Sequence, residues 1–222
     1  MTLRAILFDL DDTLVARTAA FREALRERLL AGKLAPEKLE STLEAILTLD
    51  ERGRRERADF WRAAILRAPQ LGWDPRELQA WGGPAIAEKL QPEPAVRAAL
   101  EALRGRGLRL ALVSNGAAKH QREKLERSGL GDLFEVVVIS GEVGVRKPDP
   151  AIFQLALERL GVAAGEALSV GDDPERDVEA ARQAGLTVAW VEGTETWPEG
   201  LARPALVLGS VSELPARLAE LQ

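Results

Sequence analysis

The chain reads as an α/β protein: a doubly wound parallel sheet carrying a small all-helical second domain. Three observations predict this. Six short, continuous apolar runs are spread along the chain, and such runs suit strands buried on both faces of a parallel sheet. Amphipathic stretches lie between most of them, the alternation of strand and crossover helix that builds such a sheet. Residues 16–90, directly after the first run, hold helical patterns and no convincing strand.

In chain order, residues 3–8, 108–113, 136–139, 167–170, 186–191 and 205–208 read as the strands. Residues 93–104, 117–128, 150–160 and 174–184 read as helices of the same Rossmann-like core. Their ends are well marked. Asp149 followed by Pro150 reads as N-cap and first helical residue, with Gly161 as the stop, and Asp173-Pro174 with Gly185 repeats the pattern. Within the insert, helices are expected near 18–30, 36–49, 54–67 and 75–89, broken at Gly32, Gly53 and Gly72-Trp73-Asp74-Pro75. The expected division is an α/β core of residues 1–15 and 91–222 and a helical cap of residues 16–90.

Composition narrows the chemistry. With 222 residues, 46% apolar and 29% charged, a packed core of ordinary globular type is expected. The net charge of −5 offers no electrostatic reason for nucleic acid or an anionic membrane as partner. There is no cysteine and a single histidine, His120. Disulfides, thiolate sites, cysteine nucleophiles and histidine-rich metal centres are therefore excluded, and any metal must be held mainly by oxygen, which points to Mg²⁺, Ca²⁺ or Mn²⁺. The N-terminal apolar run at residues 5–8 ends in acids and does not read as a signal peptide. No stretch approaches the ~18 apolar residues of a membrane span. A soluble, cytoplasmic protein, monomeric or homodimeric, is expected.

Four polar clusters stand at strand ends, where ligands bind in open α/β sheets. Asp9-Leu10-Asp11-Asp12-Thr13 follows the first strand. In extended chain Asp9 and Asp11 share a face, and two close carboxylates call for a cation or a proton between them. That suits a nucleophile beside a general acid. A calcium loop fits poorly, since its required Gly and Glu positions hold Leu14 and Ala20. Ser114-Asn115-Gly116 opens a helix and offers a hydroxyl and backbone N–H groups to phosphate oxygens. In Arg146-Lys147-Pro148-Asp149-Pro150, Lys147 is set just before a helix, where it can neutralise a phosphate or a carboxylate. In Gly171-Asp172-Asp173-Pro174-Glu175-Arg176-Asp177, Asp172 points to the metal, Asp173 to a helix cap, and Asp177 to supporting the metal or Lys147.

Together these clusters resemble the haloacid dehalogenase-like hydrolase superfamily. The order of acid pair with Thr, then Ser, then Lys, then a final acid group matches, and so does the helical insert after the first motif. Val113-Ser114-Asn115-Gly116, Lys124-Leu125 with Gly129-Leu130, and Ser140-Gly141-Glu142-Val143-Gly144 leading to Lys147-Pro148 add to the likeness. The resemblance implies a Mg²⁺-dependent phosphatase acting on a small phosphorylated metabolite. Asp9 would be the nucleophile and Asp11 the general acid, then base. Asp9, the Asp11 carbonyl and Asp172 would bind the metal. Ser114 and Lys147 would hold the phosphoryl oxygens, with Thr13, Asn115 and Gly116 at the substrate and Asp177 in support.

Relatives in that superfamily include dehalogenases and phosphosugar mutases. Dehalogenases generally lack an acid two residues after the nucleophile, and mutases often carry Gly where Asp12 stands, so a phosphatase is favoured. A signalling receiver domain shares the acids, hydroxyl and lysine. It is usually shorter and ends its third strand in the acceptor Asp, where this chain has Ser140-Gly141. Phe60, Trp61, Trp73 and Trp81 are candidates for stacking on a substrate, with core packing the stronger reading. His120 reads as a surface residue.

Overall fold

β1 (Ala5–Phe8) is apolar and buried at every position, so it belongs inside a sheet covered on both faces. The computed structural model, which describes residues 2–32, 34–193 and 196–221, places it there. The other strands are β2 (Arg109–Ser114), β3 (Val136–Ile139), β4 (Ala167–Gly171), β5 (Thr187–Val191) and β6 (Leu206–Leu208). They form one parallel six-stranded sheet in the order β3-β2-β1-β4-β5-β6. The expected strands all form, with ends within two residues of those read from the apolar runs. The chain winds outward from β1 to β3 on one side and then returns to β4 on the other. Phe8 pairs with Leu112 and with Val170, so the residues after β1, β2 and β4 emerge together at one edge. That edge carries the polar clusters.

Two units divide the chain: Met1–Val15 with Gln91–Gln222, and Ala16–Leu90. The second contains α1 (Arg17–Ala31), α2 (Pro36–Asp50), α3 (Arg57–Arg67) and α4 (Pro75–Lys89). Pro36 and Pro75 occupy first-turn positions where their missing N–H costs nothing. Asp74 caps α4, its carboxylate accepting from the Arg76 and Glu77 amides. The helix expected from residue 54 starts at Arg57 instead. Asp50 accepts from the Gly53 amide and folds residues 51–53 into a tight turn with positive φ at Glu51, Arg52 and Gly53. Arg17 and Arg57 both pair with Asp50. Burial alone would raise the Asp50 carboxyl, but the two guanidinium groups more than offset that and hold it low.

Phe60 and Trp61 are buried in this unit and pack edge-on against Phe21. They are core residues, as their helical spacing favoured. Trp73 and Trp81 flank the Arg28 guanidinium, with ring centroids 5.9 and 4.7 Å away.

In the first unit, α5 (Pro94–Gly105), α6 (Ala118–Arg127), α7 (Ser140–Val143), α8 (Ala151–Leu160), α9 (Ala180–Gln183) and α10 (Leu214–Arg217) accompany the sheet. Leu7, Val113 and Val138 meet Phe153, Val178 and Trp190 in its core. Gly161 ends α8 in the left-handed conformation, φ 62°, as its position predicts. The helix expected over 174–184 begins as a wider, π-type turn, Pro174–Glu179, before narrowing into α9. Such turns are frequent at functional sites, and this one carries Asp177. No helix among the described residues is long and apolar enough to cross a membrane.

Candidate active site

Asp9 continues the β1 ladder, donating its amide to the Val170 carbonyl at 3.0 Å. The chain then folds back at once. The Leu14 and Val15 amides both reach the Leu10 carbonyl, the Asp12 amide reaches the Val15 carbonyl, and Asp12 takes a left-handed φ of 59°. Aspartate tolerates that conformation better than most residues. The tight loop leaves Asp9 and Thr13 buried and Asp11 half-buried.

Lys147, 3% exposed, reaches Asp9. Its Nζ donates to Asp9 Oδ1 at 2.6 Å, to Asp177 Oδ1 at 2.5 Å and to the Val113 carbonyl at 2.9 Å. An ammonium has three donors, and here all three are used. Burial pushes the Asp9 carboxyl up, to about 7, with Lys147 opposing and the Asp177 and Asp11 carboxylates adding to the rise. For Lys147, burial alone would lower the ammonium. Asp177 and Asp9 outweigh it and hold Lys147 above its ordinary value.

The backbone of Lys147 is clamped as well. Asn115 Nδ2 donates to the Lys147 carbonyl and Asn115 Oδ1 accepts from the Lys147 amide, both at 2.9 Å. The Gly116 amide donates to Ser140 Oγ at 3.0 Å. Asn115 and Gly116, expected at the substrate, are thus seen bracing the turn that carries Lys147 and the start of α7.

The last acid cluster is arranged by backbone contacts. Asp173 caps the following helix by accepting from the Glu175 and Arg176 amides. Asp177 Oδ2 accepts from the Asp173 amide. Thr13 Oγ1 donates to Asp172 Oδ1 at 3.2 Å, and the buried Trp190 holds the Asp172 carbonyl through its indole N–H at 2.8 Å. Asp9, Asp172 and Asp177 each present a carboxylate oxygen within 4.8 Å of the others. This all-oxygen donor set fits a hard divalent cation. Asp177 both holds Lys147 and joins this group.

Ser114 Oγ accepts from Gln121 Nε2 at 2.7 Å, and the same Nε2 donates to Asp11 Oδ2 at 3.0 Å. Lys124 Nζ stands 2.7 Å from both Asp11 carboxylate oxygens. The Asp11 carboxylate therefore faces α6, while Asp9 faces Lys147.

Sequence comparison decides the family to which this geometry belongs: the haloacid dehalogenase-like hydrolases match over residues 3–185. The chain belongs to that family. A phosphoserine phosphatase from Thermus thermophilus is 46% identical over 121 residues, 54% of this hydrolase and 49% of that protein. That match spans about half the length of the relative. A glyceraldehyde 3-phosphate phosphatase from Methanopyrus kandleri is 38% identical over 196 residues, 83% of this hydrolase and 82% of the relative. Among solved structures, a phosphatase of the same family from Thermococcus onnurineus shares 30% identity and a TM-score of 0.65, covering 98% of this chain and 99% of its own.

Two residues of this hydrolase's site carried no expectation of chemistry: Gln121, and Lys124, noted only for its likeness to the family. A signal was present. Gln121, Lys124 and Leu125 lie on one face of α6, and all three are buried. A lysine on the apolar stripe of a helix points to a partner inside the fold. His120, expected at the surface, is half-buried on the same helix.

Proposed function

We propose that this hydrolase cleaves small phosphate monoesters through an aspartyl-phosphate on Asp9, with Mg²⁺ as cofactor. The observation that carries the reading is the Asp9–Lys147 contact of 2.6 Å at the carboxyl edge of the sheet. A cation held against the nucleophile by a second buried acid, Asp177, sits where the charge of a transferring phosphoryl group must be balanced.

Asp9 attacks phosphorus in line, the bond to the ester oxygen breaks, and Asp11 gives that oxygen its proton. Asp11 then takes a proton from water, which attacks the same phosphorus and breaks the bond to Asp9. Inorganic phosphate leaves, and both acids return to their starting forms. The Ser114 hydroxyl holds a phosphoryl oxygen, and Lys147 holds another by exchanging its contact with Asp9 Oδ1 for it as Asp9 attacks. Thr13 orients Asp172 and Asp177 orients Lys147. A bound Mg²⁺, held by Asp9, the Asp11 carbonyl and Asp172, supplies further charge neutralisation.

Asp11 favours phosphate over carbon–halogen bonds, because a halide leaving group needs no proton. We assign substrate selection to the helical unit Ala16–Leu90. The phosphatase names of the relatives support trying phosphoserine and glyceraldehyde 3-phosphate as substrates.

The test is phosphate release from a panel of phosphorylated metabolites with Mg²⁺ and with a chelator, using wild type and Asp9→Asn. Metal-dependent release by the wild type alone is expected. Near-normal turnover by Asp9→Asn would remove the nucleophile assignment.

A further inference from the structure

The proposed mechanism leaves two buried polar residues of α6 without a task. Gln121 is 2% exposed and Lys124 5%. Burying an amide and an ammonium on the inner face of a helix is costly unless their partners repay it, and here both converge on Asp11. Lys124 Nζ is equidistant, at 2.7 Å, from the two Asp11 oxygens. Gln121 bridges Asp11 Oδ2 to Ser114 Oγ. The fold makes room for that bridge: a Cβ on Gly116, φ +146°, would stand 3.0 Å from Gln121 Cδ and Cγ.

We infer that Lys124 and Gln121 are positioning residues that hold Asp11 in one orientation and tie it to Ser114, so that the Asp11 oxygen that takes up the proton, giving up its Lys124 contact to do so, is set for transfer to the bridging ester oxygen. This deepens the phosphatase reading and rests on it. Asp11 stands on a loop, three residues beyond the end of its strand, and an aspartate there has rotamers to choose from. A proton donor must lie within hydrogen-bond reach of the leaving oxygen. A two-point contact from a rigid helix removes the rotational freedom that would otherwise spread Asp11 over several orientations. The Gln121 bridge sets the spacing between the group that handles the proton and the hydroxyl that holds a phosphoryl oxygen.

The test compares Lys124→Met, Lys124→Arg, Asp11→Asn and the Asp11→Asn/Lys124→Met pair on phenyl phosphate and p-nitrophenyl phosphate with Mg²⁺. Lys124→Met is expected to lower kcat on phenyl phosphate by about 10- to 100-fold with KM nearly unchanged, a part of the roughly 100- to 10,000-fold that a positioned acid contributes. Single-turnover transfer from p-nitrophenyl phosphate, whose leaving group needs little protonation, should fall by less than about threefold. Lys124→Arg should restore most of the loss. In the Asp11→Asn background, Lys124→Met should add nothing, because its effect passes through Asp11.

Equal losses on the two esters, an undiminished loss in the Asp11→Asn background, or an unchanged kcat would overturn the inference. Gln121→Met supplies a second variant if Lys124→Met does not fold, since it removes a donor to Asp11 without removing a charge; the same leaving-group dependence is expected. Full turnover by Asp11→Asn would remove the acid–base reading itself, which distinguishes that failure from a failure confined to Lys124 and Gln121.

Discussion

A Cβ on Gly171 would stand 2.3 Å from Asp177 Cβ and 2.6 Å from its Oδ2, so Asp177 occupies the space that any side chain at position 171 would need. Through Asp177 Oδ1 the contact extends to Lys147. Gly171→Ala should therefore drive Asp177 away from Lys147. A displacement near 1 Å at a positioned group costs on the order of 100-fold in rate, and overpacking of this kind costs about 1–3 kcal/mol. Steady-state kinetics and thermal melting of the variant check both.

Lys147 is the cation for two buried carboxylates. Lys147→Met should destabilise the metal-free protein by about 3–5 kcal/mol, the usual cost of leaving a buried charge without its partner. Added Mg²⁺ should recover part of the loss by neutralising the same acids. Urea unfolding with chelator and with Mg²⁺ measures the two quantities. A stability equal to wild type in chelator would show that the acids are not relying on Lys147.

The raised Asp9 carboxyl gives the metal-free protein a pH signature. Its value is about 7 in the folded chain, against an ordinary 3.8. Between those values the folded state keeps a proton that the unfolded state has released. The contribution of Asp9 to stability therefore falls as pH rises from about 4 to about 7 and levels off above. Asp9→Asn removes the titrating group and should flatten that decline. A cation binding at Asp9 competes with the same proton, so Mg²⁺ affinity should rise with pH up to about 7 and then plateau. Melting curves in chelator and calorimetric titrations with Mg²⁺ test the two halves separately.

Asn115 makes a reciprocal pair of hydrogen bonds with the Lys147 backbone. Asn115→Ala should leave both backbone groups seeking partners, at about 1–3 kcal/mol, and let the lysine drift. A fall in kcat of roughly tenfold is expected on the same positional argument, readable against a modest drop in melting temperature. Unchanged kinetics would confine Asn115 to folding.

The parts of the fold that could be read in advance are those coded by neighbours in sequence. The strands appear because a strand buried on both faces must be apolar throughout, as at Ala5–Phe8. Asp173 and Gly161 appear because capping and left-handed stops use a few adjacent residues. The start of α3 was displaced because Asp50, several residues earlier, captures the Gly53 amide and sets the turn. The wide turn at Pro174–Glu179 was missed although Asp177 was expected to support the metal or Lys147, because the contact with Lys147 is made 30 residues away in the chain.

The chain itself determined the sheet, the helical insert and the placing of each polar cluster at a strand end, because hydrophobic period and capping chemistry act over a few residues. It also determined that any metal site must be built mainly of oxygen, since cysteine is absent and histidine is single. Only the tertiary structure decided the pairings: Lys147 with Asp9 and Asp177, Asn115 with the Lys147 backbone, and Lys124 with Asp11 across 113 positions. Contacts of that separation depend on the register of parallel strands and the docking of helices upon them. A residue type and its near neighbours therefore announce that a lysine is buried, and the fold alone selects the carboxylate it meets.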